Sequence, residues 1–154
     1  GGCFLNKRLN RNNDGGTTRR TTDIFQLATT VLFQNPVQNF ALAPNNLKDV
    51  SPVCMDYMKT IPTTWDETCF IDGYPGKYVV LARRHGGTWY VAAINAGKET
   101  LKLKLDLEMF AGKTVSLYKD DKKGAPQLVP LKVKENGKVQ LEILPQGGAV
   151  LVNK

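Results

Sequence analysis

The stretch Leu101-Lys102-Leu103-Lys104-Leu105-Asp106-Leu107 alternates apolar and charged residues without a break. Successive side chains of a strand point to opposite faces, so the four leucines face a core while Lys102, Lys104 and Asp106 face solvent. The same period of two runs outward on both sides. Strands are expected at Thr64–Ile71, Lys77–Arg84, Thr88–Asn95, Thr100–Leu107, Thr114–Tyr118, Leu128–Lys134, Val139–Leu144 and Ala149–Val152. Turn residues separate them: Asp72 to Gly76, His85-Gly86-Gly87, Ala96-Gly97, Asp120 to Pro126, Asn136-Gly137 and Gln146 to Gly148. Asn136-Gly137 is the strongest hairpin signal among them. Short strands at this spacing predict an antiparallel β-sandwich over residues 63–154.

Upstream of residue 63 the pattern differs. Asn10-Arg11-Asn12-Asn13-Asp14-Gly15-Gly16 reads as a loop, because Asn and Gly tolerate positive φ. Thr21, Thr22 and Asp23 offer N-cap oxygens, and Ile24, Leu27, Ala28, Val31 and Leu32 fall on one helical face ending before Pro36. Val37–Leu42 reads as a short strand. Ser51-Pro52 reads as the cap and first turn of a second helix that ends near Thr60. Residues 1–62 thus look like part of an α/β architecture followed by a mainly β domain.

Composition narrows the function classes. With 42% hydrophobic and 23% charged residues the chain can bury a core. Its near-apolar runs, such as Tyr78 to Ala82, are far short of the ~20 residues of a membrane span. The net charge of +7 is spread, with 7 Lys/Arg against 4 Asp in residues 1–62 and 14 basic against 10 acidic residues in 63–154. That is a solvated surface, not a polyanion footprint, and nucleic acid is not expected as a partner. Cys3, Cys54 and Cys69 are odd in number and lack C-x-x-C spacing, and His85 is the one histidine. No disulfide framework, metal site or Cys–His nucleophile pair is expected from them. The cysteines are expected as small buried groups.

Specific blocks carry a family likeness. Pro62-Thr63-Thr64-Trp65-Asp66-Glu67-Thr68, Gly73-Tyr74-Pro75-Gly76-Lys77-Tyr78 and Ala82-Arg83-Arg84 closely resemble the C-terminal region of glycoside hydrolase family 97. Gly1-Gly2-Cys3-Phe4-Leu5-Asn6, Gln26-Leu27-Ala28 and Phe33-Gln34-Asn35-Pro36-Val37-Gln38 resemble the end of that family's catalytic barrel, and Trp89-Tyr90-Val91 with Ile94-Asn95 continue the likeness. The resemblance implies residues 1–62 as the end of a (β/α)8 barrel and 63–154 as a C-terminal antiparallel β-sandwich that supports packing and oligomerisation. It implies a parent α-glucosidase acting on terminal α-glucosides, with an α-galactosidase or an independent carbohydrate-binding module as alternatives. Calcium in the parent enzyme, a periplasmic location, the upstream barrel as partner, a homo-oligomer and an α-linked oligosaccharide substrate are implied in the same way.

The residues themselves carry little catalytic machinery. Glycoside hydrolysis uses two carboxyl groups across the scissile bond, and residues 1–66 contain no glutamate. Asp66 and Glu67 are adjacent, would point to opposite faces of a strand, and are expected with Trp65 at a domain interface. Asn12, Asn13, Arg19 and Arg20 are expected on a barrel-rim loop that could bind an outer sugar. Asp120 and Asp121 are expected as surface charges held ionised by Lys119, Lys122 and Lys123. The chain alone is expected to be inactive.

Overall fold

The computed structural model describes residues 2–4, 21–32, 39–41, 51–62 and 64–153, with the backbone alone at 2–4 and 39–41. Strands β1 (Gly2–Phe4) and β2 (Asn39–Ala41) pair in parallel, and helix α1 (Asp23–Leu32) lies between them in the chain. This is a βαβ unit, as an α/β barrel is built from. Helix α2 (Pro52–Thr60) follows; the Ser51 side chain accepts from the Val53 N–H at its start. Then come β3 (Glu67–Tyr74), β4 (Tyr78–His85), β5 (Thr88–Asn95), β6 (Leu101–Asp106), β7 (Thr114–Asp120), β8 (Pro126–Lys132), β9 (Lys138–Ile143) and β10 (Gly148–Val152).

Six of these form one antiparallel sheet in the order β3-β4-β5-β10-β7-β8, and β6 pairs with β9 in a second. The sandwich is therefore uneven. Leu103, Leu105 and Leu107 point in from the small sheet, as their alternation predicts, beside Val139, Leu141 and Ile143. Val80, Ala82, Val91, Ala93, Leu117 and Leu151 meet them from the large sheet, and Phe110 on a single 3-10 turn closes one end. Buried Asn95 binds the layers at their edge, its amide reaching the carbonyls of Glu99, Ile143 and Leu144.

The opposite face of the large sheet is apolar too. Tyr90, Ala92, Tyr118, Val150 and Val152 are buried there against α1 and α2. Among the described residues the six-stranded sheet is thus covered by the two helices on one face and by the two-stranded ribbon on the other. The two helices belong by chain order to residues 1–62 and by packing to the sheet that follows.

Two expectations are corrected. Asn136-Gly137 does turn the chain, with Gly137 at φ 74°, but β8 pairs with β7 and β9 with β6. The turn is a corner between sheets rather than a hairpin, because turn chemistry reverses direction without choosing the strand's partner. Strand β3 starts later and runs further than the alternation indicates, passing a bulge at Ile71 and continuing through Gly73. Of the cysteines, Cys54 is buried and Cys69 half-buried.

This layering predicts unequal costs along one sandwich. Leu151→Ala, in the central strand, should destabilise by about 2–5 kcal/mol through lost burial and the cavity left behind. Lys102→Ala, on the solvent face, should stay within about 0.5 kcal/mol. Urea unfolding of both variants checks this; comparable losses would contradict the assigned faces.

Candidate functional site at the helix–sheet junction

Among the described residues no three His, Cys, Asp or Glu side chains converge, so the polar chemistry to be explained lies where α1 and α2 meet the sheet. At the start of α1 the Thr22 hydroxyl accepts from the Phe25 N–H (3.1 Å) and donates to Asp120 Oδ2 (2.9 Å). It is at once an N-cap and a tether to β7. The Gly148 N–H donates to the same Oδ2 (3.1 Å), and the Thr22 N–H to the Gln146 carbonyl (3.0 Å). The turn leading into β10 has no room for side chains: a Cβ on Gly147 would stand 2.6 Å from Asp120 Oδ2, and one on Gly148 3.0 Å from the Phe25 Cα. Here the first turn of the helix rests on bare backbone.

Asp120 is thus buried, 7% exposed, and not the lysine-held surface charge expected from its neighbours. The reason is parity: Ser116, Tyr118 and Asp120 share the face of β7 turned to the helices. Its pKa is pushed up to about 6, mainly by burial, against the lowering effect of the Gly148 and Thr22 hydrogen bonds. Its Oδ1 has no partner among the described residues.

At the other end of α1 the buried Arg83 donates from Nη2 to the Leu32 carbonyl (3.1 Å). It satisfies a terminal carbonyl where the helix dipole favours a cation. Its Nε and Nη1 have no partner among the described residues, and burial pushes its pKa down. Between these ends the two helices are joined by Tyr57, whose hydroxyl is 2.8 Å from Thr30 Oγ1 and whose ring meets Tyr118 edge-on at 5.2 Å. The Tyr118 hydroxyl donates to Asp56 (3.3 Å); burial, then that carboxylate, pushes its pKa up to about 12.

Trp65 is half-buried and packs edge-on against Tyr90 (5.3 Å) beside the helical layer, while the Tyr90 hydroxyl donates to the Thr60 carbonyl. Asp66 precedes β3 in a bend, so the opposite-face argument does not govern it. It accepts from the Gly86 N–H (2.8 Å) and lies 4.0 Å from Arg84 Nη1, while Glu67 accepts from Arg84 Nε (3.2 Å). Both acids converge on one arginine at the β4–β5 turn, half-exposed, and no cleft separates them. His85 ends β4 with Nδ1 2.9 Å from the Thr64 carbonyl. Asn12, Asn13, Arg19 and Arg20 lie outside the described residues. Sequence reasoning missed Asp120 and Arg83; the shared parity with Tyr118 and with Val79 and Leu81 was the available signal.

The Asp120 environment predicts a pH signature. A carboxyl with a raised folded pKa binds its proton more tightly when folded. Its contribution to stability is therefore greatest at low pH and falls as pH rises from about 4 through 6. Asp120→Asn keeps an acceptor for Thr22 and Gly148 and cannot ionise. Between pH 4 and 8 its stability should improve relative to the parent by on the order of 2 kcal/mol. Denaturant titrations at several pH values test this, and parallel profiles would refute it.

Comparison with known proteins agrees with this layout. Residues 64–153 match the family described as Glycosyl-hydrolase 97 C-terminal, oligomerisation. The chain is 31% identical over 133 residues to a retaining alpha-galactosidase of Bacteroides thetaiotaomicron, covering 82% of this chain and 20% of that protein. A crystal structure of a beta-arabinopyranosidase matches 99% of the chain at 84% identity with TM-score 0.94, the match spanning 24% of that chain. A family 97 enzyme from Pseudoalteromonas sp. strain K8, in complex with acarbose, shares the fold over 90% of this chain and 23% of its own, at 23% identity and TM-score 0.74. The chain thus spans about a fifth to a quarter of these proteins, and it belongs to glycoside hydrolase family 97, whose C-terminal domain it contains.

Proposed function

We propose that this chain is the C-terminal part of a longer family 97 glycosidase acting on terminal β-arabinopyranosides and the stereochemically matched α-galactosides. In that enzyme residues 1–62 end the catalytic barrel, and the sandwich carries the barrel end and supports oligomer contacts. The observation that supports the substrate class is 84% identity across 99% of the chain to a beta-arabinopyranosidase. A β-L-arabinopyranoside has the ring configuration of an α-D-galactopyranoside without the hydroxymethyl group, which fits the alpha-galactosidase name of the Bacteroides relative. An α-glucoside, implied by the family likeness alone, differs from the galactoside at C4 and is the competing substrate.

The chemistry has to be supplied upstream in this reading. Cleavage needs one carboxyl to protonate the leaving oxygen and another to attack the sugar or activate water. Among the described residues Asp66 and Glu67 are tied to Arg84, and Asp120 is enclosed beneath α1. Calcium, implied by the family, needs about 6–8 oxygen ligands; the described residues do not fit it, so it belongs with the upstream barrel, and a periplasmic location goes with the same proposal.

Nitrophenyl β-L-arabinopyranoside, α-D-galactopyranoside and α-D-glucopyranoside, each with calcium, test the reading on this chain and on the longer polypeptide. The longer polypeptide should cleave the first two in preference to the third, and the 154-residue chain none. A preference for the glucoside would overturn the substrate class. Turnover by the short chain that disappears in an Asp66→Asn, Glu67→Gln double variant would overturn the upstream placement of the carboxyls.

A further inference from the structure

Among the described residues the helix-bearing face of the large sheet is only partly covered. Strands lie about 4.8 Å apart and packed helices about 8–10 Å apart, so one helix shields about two strands. A six-stranded sheet offers room for three helices, and two lie on it among the described residues. Helix α2 sits toward β8 and α1 over β5 and β10. The first turn of α1 rests on Gly148, and its last carbonyl reaches Arg83 on β4. The corner that no described helix covers is where β3 and β4 meet through the Pro75–Lys77 turn.

That corner is apolar and open. Phe70 is 67% and Tyr74 57% exposed, the two most exposed large hydrophobic side chains among the described residues. With Pro75, Val79, Ile94 and Ala96 they line a groove of about 370 Å³. Val79 and Ile94 are cross-strand partners that also pack against the helical layer, so the groove continues the surface α1 already occupies. The Phe70 ring lies over Gly73, where a Cβ would stand 3.2 Å from it. Of the polar groups at its rim, the Lys77 ammonium lies over the Tyr74 ring (5.0 Å) and the Tyr78 hydroxyl donates to Asp72, so the groove offers mainly an apolar surface of the kind a helix face covers.

We infer that this groove seats a third helix, the one immediately preceding β1 in the longer polypeptide, which lays an apolar stripe on Phe70, Val79 and Ile94. The inference rests on the barrel reading above. Consecutive helices are neighbours around a (β/α)8 barrel. Since α2 follows β2 and α1 lies between β1 and β2, the place on the far side of α1 falls to the helix before β1. The chain spans 24% of its 84%-identical structural match, so a longer polypeptide has the length to supply that helix. A second copy is the competing occupant. Strand β3 is an edge free of proline, whereas the other edge, β8, carries Pro126 and Pro130.

The test places the photo-crosslinking residue p-benzoylphenylalanine at position 70 of the longer polypeptide and maps the adduct by mass spectrometry. An intrachain adduct within the helix before Gly2 is expected; an adduct to another copy, or none, would overturn the inference. Phe70→Asp supplies a second reading. It should lower the Tm of the longer polypeptide and leave that of the 154-residue chain unchanged, because Phe70 faces solvent there. Equal loss in both, or loss in neither, would contradict the seat. Glycosidase assays on the same preparation report on the functional reading separately. Activity without the adduct sinks the docking alone, and the adduct without activity sinks the function alone.

Discussion

Strand β10 is buried at all five of its positions, so each of its faces has to be covered by a separate apolar layer. Ala149 and Leu151 look into the sandwich, Val150 and Val152 toward the helices. A half-exposed antiparallel strand would alternate with polar residues; this one does not. The requirement propagates sideways through β5, where Tyr90 and Ala92 face the helices and Val91 and Ala93 the sandwich, and through Leu117 and Tyr118 of β7. It makes the βαβ unit at the start of the chain part of the same packed body as the sandwich.

Because the helices lie on a mostly apolar face, their ends need specific partners. A helix leaves unpaired N–H groups at its start and unpaired carbonyls at its finish. Asp120, acting through Thr22, and Arg83, acting on Leu32, meet the two ends of α1 from the sheet beneath. Both are buried ionisable groups among apolar neighbours, which costs stability unless the charge is compensated. Their value is positional: they fix where along the sheet α1 can lie, and through Tyr57 and Tyr118 where α2 lies beside it.

Much of this was legible in the sequence, because period-two alternation and turn residues are local signals. The leucines of β6, the capped helix at Thr22 and the Ser51-Pro52 start all lie where the pattern places them. What escaped was non-local. Asn136-Gly137 announces a turn in the same terms whether the next strand pairs beside it or crosses to another sheet. Asp120 sits in a run of lysines and reads as surface until one counts faces from Tyr118. Asp66 and Glu67 read as a strand pair, yet the bend before β3 lets both reach Arg84. The division at residue 62 marks a change of local period, and packing across it follows from the second apolar face of β4, β5 and β10.

The central claim is that helices and sheet form one cooperative body through the buried outer face. Native-state hydrogen exchange of the 154-residue chain, read amide by amide, tests it most directly. The account predicts that the middle turns of α1, around Leu27 and Val31, exchange with the same opening free energy as Val150 and Leu151 in β10, and that both fall together in Tyr118→Ala. Rapid exchange throughout α1 beside a fully protected β10 would contradict it.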